Sequence, residues 1–352
     1  MRPRFRSLLH KTVFVLRSRH AIILAMVLLP AVAVFLWVGL SPAKNAQGGI
    51  VLQSVGIIQP RPAQTDAVET CVLPDISFAD FLELSPDTVN NYIRPELVVK
   101  TENVLNKRFR PPEGFHRVEY PEGSFAAWLQ SLPLKAYGQP PLLYDGERKL
   151  SPTVASVLDM RIGKKDLQQC ADTVMRLRAE YLYEKGEYSR ISFHFVVGFE
   201  CSWDKWRAGY RIAGPVETPR WVKKEEPSDS RETFDAYLDM VYTRSSTLSL
   251  GTLDMIPADP NDMQVGDAFV RPGAPGHTVI IADMAVNPVT QEKYIITAEG
   301  MIPAQQPQIT NGLDLTTGPW ILVPSPLTGN FASTNTSFAW SQLMRFKDID
   351  KD

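Results

Sequence analysis

The sequence is poor in the residues that most often carry enzyme chemistry. Five histidines and three cysteines are spread over 352 residues, and none of them cluster at the short spacing that a metal site uses. No Gly-rich phosphate loop, no G-x-S-x-G elbow and no H-E-x-x-H helix occurs. Those absences remove most familiar enzyme classes, and neither a metal nor a cofactor is expected. Charge of one sign is missing as well, since 37 basic residues face 39 acidic ones for a net of −2. Nothing there indicates a nucleic-acid partner.

What is present begins at the N-terminus. Arg2, Arg4, Arg6, Lys11, Arg17 and Arg19 precede Ala21–Leu40, a run without a charge. An apolar run of roughly 20 residues spans about 30 Å as a helix, enough to cross the hydrocarbon core of a bilayer. The flanking cations hold the N-terminal side in the cytoplasm. The expected organisation is a basic cytoplasmic segment (1–20), a signal anchor (21–40), a Gly/Gln/Pro/Ala linker (41–70) and a single domain (71–346). Export with cleavage near Ala43 is the alternative. Either way the domain works outside the cytoplasm, and its first partner is the membrane itself.

Within the domain the clearest helix follows Asp166, which reads as its cap. Apolar positions recur at Leu167, Cys170, Val174, Leu177 and Tyr181. Asp172, Arg176 and Glu180 stand four apart and read as a charge ladder. A second amphipathic helix covers Arg231–Arg244. Strands are expected at Thr153–Met160, Ile191–Gly198, Asp267–Val270, His277–Val286, Tyr294–Glu299 and Trp320–Val323. A helix in mid-chain followed by a run of antiparallel strands is an α+β pattern.

Cys170 falls in the first turn of the strongest helix, where free N–H groups and the helix dipole stabilise a thiolate. It also lies on the apolar stripe, where a buried cysteine packs as a small hydrophobe. If Asn287–Thr290 turns a hairpin, position 277 comes opposite about 299 in antiparallel pairing. Glu299 is then placed to orient His277 as base for a cysteine nucleophile, although a carboxylate at a strand end is ordinarily exposed. Gln168 and Gln169 stand where amide donors serve an oxyanion. His194, between Phe193 and Phe195, reads as structural or surface. Trp203, Trp206, Tyr210 and Trp221 read as core, with a stacking surface as the alternative.

The order of a first-turn Cys170, then Gly266-Asp267-Ala-Phe-Val270, then Gly276-His277 and a strand of aliphatics resembles NlpC/P60 and related papain-like cysteine peptidases and amidases. Leu132-Pro-Leu-Lys135, Asp166-Leu-Gln-Gln-Cys-Ala-Asp172, Arg176-Leu-Arg-Ala-Glu-Tyr-Leu182, Trp206-Arg-Ala-Gly-Tyr210 and Pro303-Ala-Gln305 resemble, more closely, a family of bacterial exported proteins named only as a domain of unknown function, DUF4846. The wider resemblance implies a papain-like core, a central helix packed on an antiparallel sheet, with 188–262 as an insertion. It implies Cys170 as nucleophile, His277 as base and Glu299 as orienter, with Gln169, Asp172 and Arg176 supporting them. The function expected is a membrane-anchored cysteine amidase or peptidase acting on peptidoglycan peptides. The alternative is a tethered binding or scaffold domain without catalysis. If Cys170 must stay free, Cys71 and Cys201 form the oxidised pair.

Overall fold

The computed structural model describes residues 78–349. The expected anchor, the linker, the cleavage position near Ala43 and Cys71 lie outside them. Among the described residues no helix is long and apolar enough to cross a membrane.

Strand β1 (His116–Arg117) is followed by the short helix α1 (Phe125–Gln130), β2 (Val154–Val157) and the long helix α2 (Cys170–Glu184). Two small hairpins come next. They are β3 (Ser192–His194) with β4 (Glu200–Ser202) and, after helix α3 (Trp203–Arg207), β5 (Tyr210–Ala213) with β6 (Arg220–Lys223). Helix α4 (Arg231–Arg244) precedes β7 (Met255–Pro257), β8 (Ala268–Arg271), β9 (His277–Val286), β10 (Lys293–Glu299), β11 (Gln308–Thr310) and β12 (Ile321–Val323). A small pair, β13 (Phe331–Ala332) and β14 (Ser337–Phe338), and then β15 (Leu343–Phe346) close the order.

Nine strands make one antiparallel sheet in the order β2-β11-β10-β9-β8-β15-β7, with β1 on β9 and β12 on β10. The domain is therefore α+β. Helix α4 and strand β9 have the bounds that periodicity gives them. Of residues 188–262, only β7 joins the large sheet. From Thr278 to Ala285 every residue of β9 is buried, which marks it as the central strand.

Helix α2 is buried along nearly its whole length, from Cys170 to Leu182. Leu, Met, Ala and Arg favour the helix locally, but the burial takes charged side chains out of water. Each must then find a partner. Glu180 accepts from Arg176 at 3.1 Å and from Arg231, the first residue of α4, at 2.6 Å. Burial acts to raise the Glu180 pKa, yet the two guanidiniums hold it below the ordinary carboxylate range. Arg178 reaches Asp348 at 3.1 Å and lies 4.9 Å from the Phe125 ring. The ladder expected from spacing is thus real between Arg176 and Glu180. Asp172 stays out of it, turned to the start of its own helix.

Aromatic side chains fill the space between α2, α3 and α4. Tyr183 stacks on Phe234 at 4.2 Å, and Trp203 meets Phe234 and Tyr237 edge-on or tilted at 5.2 and 5.4 Å. Trp203 and Trp206 are core residues, so they offer no stacking surface.

Glu180→Ala should strand the Arg176 guanidinium in the interior and cost about 3–5 kcal/mol. A fall in the urea midpoint at unchanged slope would measure it; an unchanged midpoint would refute the role given to this pair.

Candidate functional site

Helix α2 begins at Cys170, with Gln169 as its cap residue, three positions later than Asp166 suggests. Asp166 is occupied elsewhere. Its Oδ1 accepts from the Ala304 N–H at 2.7 Å and from Gln169 Nε2 at 3.3 Å, tying the segment before the helix to the one after β10. Asp172 Oδ2 accepts the Gln169 N–H at 3.0 Å in its place, which is why Asp172 faces the helix start and not the ladder. Burial pushes the Asp172 carboxyl up to about 7 against the pull of that N–H. Cys170 is consequently the first helical residue, where the dipole acts most strongly on a side chain.

His277 opens β9, and a one-residue irregularity in the sheet decides which way it faces. Ile296 pairs with Asp283 but Thr297 pairs with Ile281, so Ala282 is an extra residue on β9. Beyond this bulge Ala298 pairs with Ile280, which sets Glu299 beside Val279. His277, two residues further along β9, then shares the face of Glu299. In the unbulged register the two would lie on opposite faces. Position 277 is therefore a diagonal neighbour of 299 and not the direct partner that hairpin counting gives. The diagonal is within reach of long side chains, and His277 Nε2 sits 3.1 Å from Glu299 Oε2.

Glu299 is 1 % exposed, not the exposed strand-end carboxylate of the ordinary case. Its Oε1 accepts from Thr310 Oγ1 and Asn335 Nδ2, and from Gln308 Nε2 at 3.3 Å. Burial alone would raise its pKa, but His277 and these donors hold it below the usual carboxylate range. Burial likewise lowers that of His277, and hydrogen bonds to Cys170 and Glu299 overcome this and raise it to about 9. With Nε2 committed to Glu299, Nδ1 is the ring nitrogen left for the Cys170 thiol. Phe338 covers the imidazole, its ring 6.1 Å away and inclined by 12°.

Cys170, Gln169, Asp172, Thr247, Gly276 and Ile302 line a cleft of about 310 Å³. The structure thus brings Cys170, His277 and Glu299 together, with Gln169 and Asp172 at the cleft wall. Arg176 is elsewhere, held by Gln168, Glu180 and the Arg161 carbonyl. Gln168 turns its amide oxygen to Arg176, and so does not present that oxygen to the thiol.

Sequence reasoning missed Thr310, Gln308, Asn335, Phe338 and Gly300. Gln308 and Thr310 carry a readable sign, polar residues alternating along a buried strand; Asn335, in a turn, carries none. Gly300 is needed for close approach. A Cβ there would fall 2.2 Å from Thr173 Oγ1 and 2.6 Å from the Gln169 carbonyl, so any side chain would push the start of α2 from the end of β10.

The other cysteine described, Cys201, is a free thiol with no exposure, its pKa driven up by burial. Its expected partner Cys71 is outside the described residues. A second histidine–carboxylate pair exists, His194 Nδ1 on Asp254 Oδ1 at 2.7 Å, but the neighbouring Ser192 spends its hydroxyl on Glu200. Among the described residues no group of three or more His, Cys, Asp or Glu could hold a metal ion.

An α+β domain with a cysteine, a histidine and a buried glutamate in contact is the class these observations define. The chain belongs to the family described as domain of unknown function 4846, which it matches over residues 105–345. No curated protein and no solved structure matches it, so the wider resemblance to NlpC/P60 peptidases has no support there.

The raised pKa of His277 has a signed consequence. Its imidazolium contributes stability that is fully present below its ordinary value of 6.5 and is lost as pH rises through about 9. The His277 ring protons should titrate near 9 by NMR, and Glu299→Gln should lower that midpoint; a midpoint near 6.5 in the wild type would contradict the hydrogen-bonded relay.

Gly300→Ala should cost about 1–3 kcal/mol through overpacking and should also slow alkylation of Cys170 by iodoacetamide. Unchanged alkylation would show that the close approach does not position the thiol.

Proposed function

We propose that the domain is an extracytoplasmic cysteine amidase or peptidase, on a papain-like frame, acting on cell-wall peptides. The observation that carries this reading is the relay of Cys170, His277 and Glu299, whose cysteine lines an open cleft. A buried structural cysteine has no need of a histidine, and a structural histidine has no need of a buried glutamate fed by further donors. The anchor expected at 21–40 keeps the site near the outer face of the membrane, within reach of the wall.

In the acylation step the proton shared by Cys170 and His277 is held on Nδ1, and the thiolate sulfur attacks the amide carbonyl. The oxyanion that forms is met by the first-turn N–H groups of α2, which have no intrahelical acceptors. Collapse of the tetrahedral adduct breaks the C–N bond, and His277 returns the proton to the departing amine. Water, deprotonated by His277, then attacks the thioester; the acid leaves and the thiol is restored. Glu299 stays ionised throughout and holds the imidazole in place.

Cys170→Ala should abolish the release of new amine termini from purified peptidoglycan, a loss of at least about 10³-fold, with the fold intact. Full complementation of a gene deletion by the alanine variant would overturn the enzyme and leave a tethered binding domain.

A further inference from the structure

We propose that a second cleft, beside the one at Cys170, seats a carboxylate of the substrate. This rests on the hydrolase reading and gives its substrate an acidic residue. The two clefts share Leu167 and Tyr242 as common lining, so a chain lying across the thiol can extend from one into the other. The second cleft, of about 270 Å³, runs between the segment before α2 and helix α4.

Its charge is unbalanced. Arg161, Lys164, Lys165 and Arg176 line it against Asp235 and Asp239; Arg176 is answered by Glu180 behind it, so that Lys164 is the cation left over. Arg161 pairs with Asp235 at 2.5 Å and Lys165 with Asp239 at 2.7 Å. With 73 % and 68 % of their side chains exposed, both cations make ion pairs of the weak, rearrangeable kind. Lys164 has no ion pair among the described residues.

The cleft also holds buried donors that lack acceptors. Gln168 is 3 % exposed, and its Nε2 has no partner. Its amide oxygen is fixed on Arg176, which leaves the NH2 end as the free one. The Tyr242 hydroxyl is buried and unpartnered too. Buried donors without acceptors are costly and call for an explanation, and a ligand carboxylate supplies acceptors for both. Asp172 Oδ1, an acceptor without a donor, is the opposing feature at the thiol cleft. With its pKa near 7 it carries only part of a negative charge at neutral pH, so it opposes an anion weakly.

The test uses the full chain carrying Cys170→Ala, which prevents turnover, and two peptides, acetyl-Ala-Glu-Ala-amide and acetyl-Ala-Gln-Ala-amide. By calorimetry the glutamate peptide should bind about tenfold more tightly. Lys164→Ala combined with Arg161→Gln, both at solvent-exposed positions, should cut that preference to about twofold or less. Equal binding of the two peptides, no binding of either, or a preference that survives the double substitution would overturn the subsite. Cleavage of the same peptides by the wild-type chain is followed in parallel. A glutamate preference in binding without any cleavage would count against the hydrolase and leave the subsite standing. Cleavage without the preference would do the reverse.

Discussion

The site depends on the burial of one negative charge. Taking a carboxylate out of water costs several kcal/mol even after relaxation, and the cost is met only when its lone pairs are filled. Glu299 has four donors, from β9, from β11 twice and from the turn at 333–336. Three separate parts of the chain must therefore converge on the end of β10. Once they do, the carboxylate is held ionised, and a histidine against it gains affinity for its proton. The charge state of His277 is thus a product of the sheet, and His277 in turn stands against the Cys170 thiol.

Helix α2 answers the same requirement along its length. A helix buried from Cys170 to Leu182 would be simplest if apolar, yet it carries Asp172, Arg176, Arg178 and Glu180. Each is spent on an anchor: to the helix start, to α4 and to Asp348. Ion pairs of this kind add little net stability compared with apolar packing, but they are intolerant of displacement. Such a helix cannot slide along the sheet without stranding a charge. Its first residue is thereby fixed against the end of β10, where Gly300 removes the last steric obstacle.

Much of this was legible in the sequence, and the illegible part has a definite cause. The α+β class, helix α4 and strand β9 follow from periodicity, because side-chain burial repeats with the backbone. The pairing of Cys170 with His277 and Glu299 follows from residue type and chain order. The start of α2 was misread because Asp166, a good cap by composition, is drawn off by Ala304, a contact 138 positions away. The bulge at Ala282 leaves no mark, since an extra residue in an unbroken apolar strand looks like any other. Hairpin counting arrived at Glu299 by an approximate register; the bulge is what makes the faces agree. The donors around Glu299 come from a strand and a turn distant in sequence, and only tertiary packing names them.

The two described cysteines sit in environments that differ in each respect bearing on thiol chemistry. Counting cysteines in an oxidising compartment makes Cys201 half of a disulfide, so that Cys170 stays reduced. The structure protects Cys201 by another means. It is sealed with no exposure, its backbone carbonyl held by the Tyr237 hydroxyl at 2.8 Å, and its thiol is kept protonated by burial. Such a thiol is inert to oxidants and electrophiles without any partner. Cys170 differs in each respect that matters: it begins a helix, meets an imidazole and borders a cleft. Of the two, only Cys170 stands beside an imidazole and can meet a molecule from outside, and the sheet, the helix and the buried glutamate converge on it.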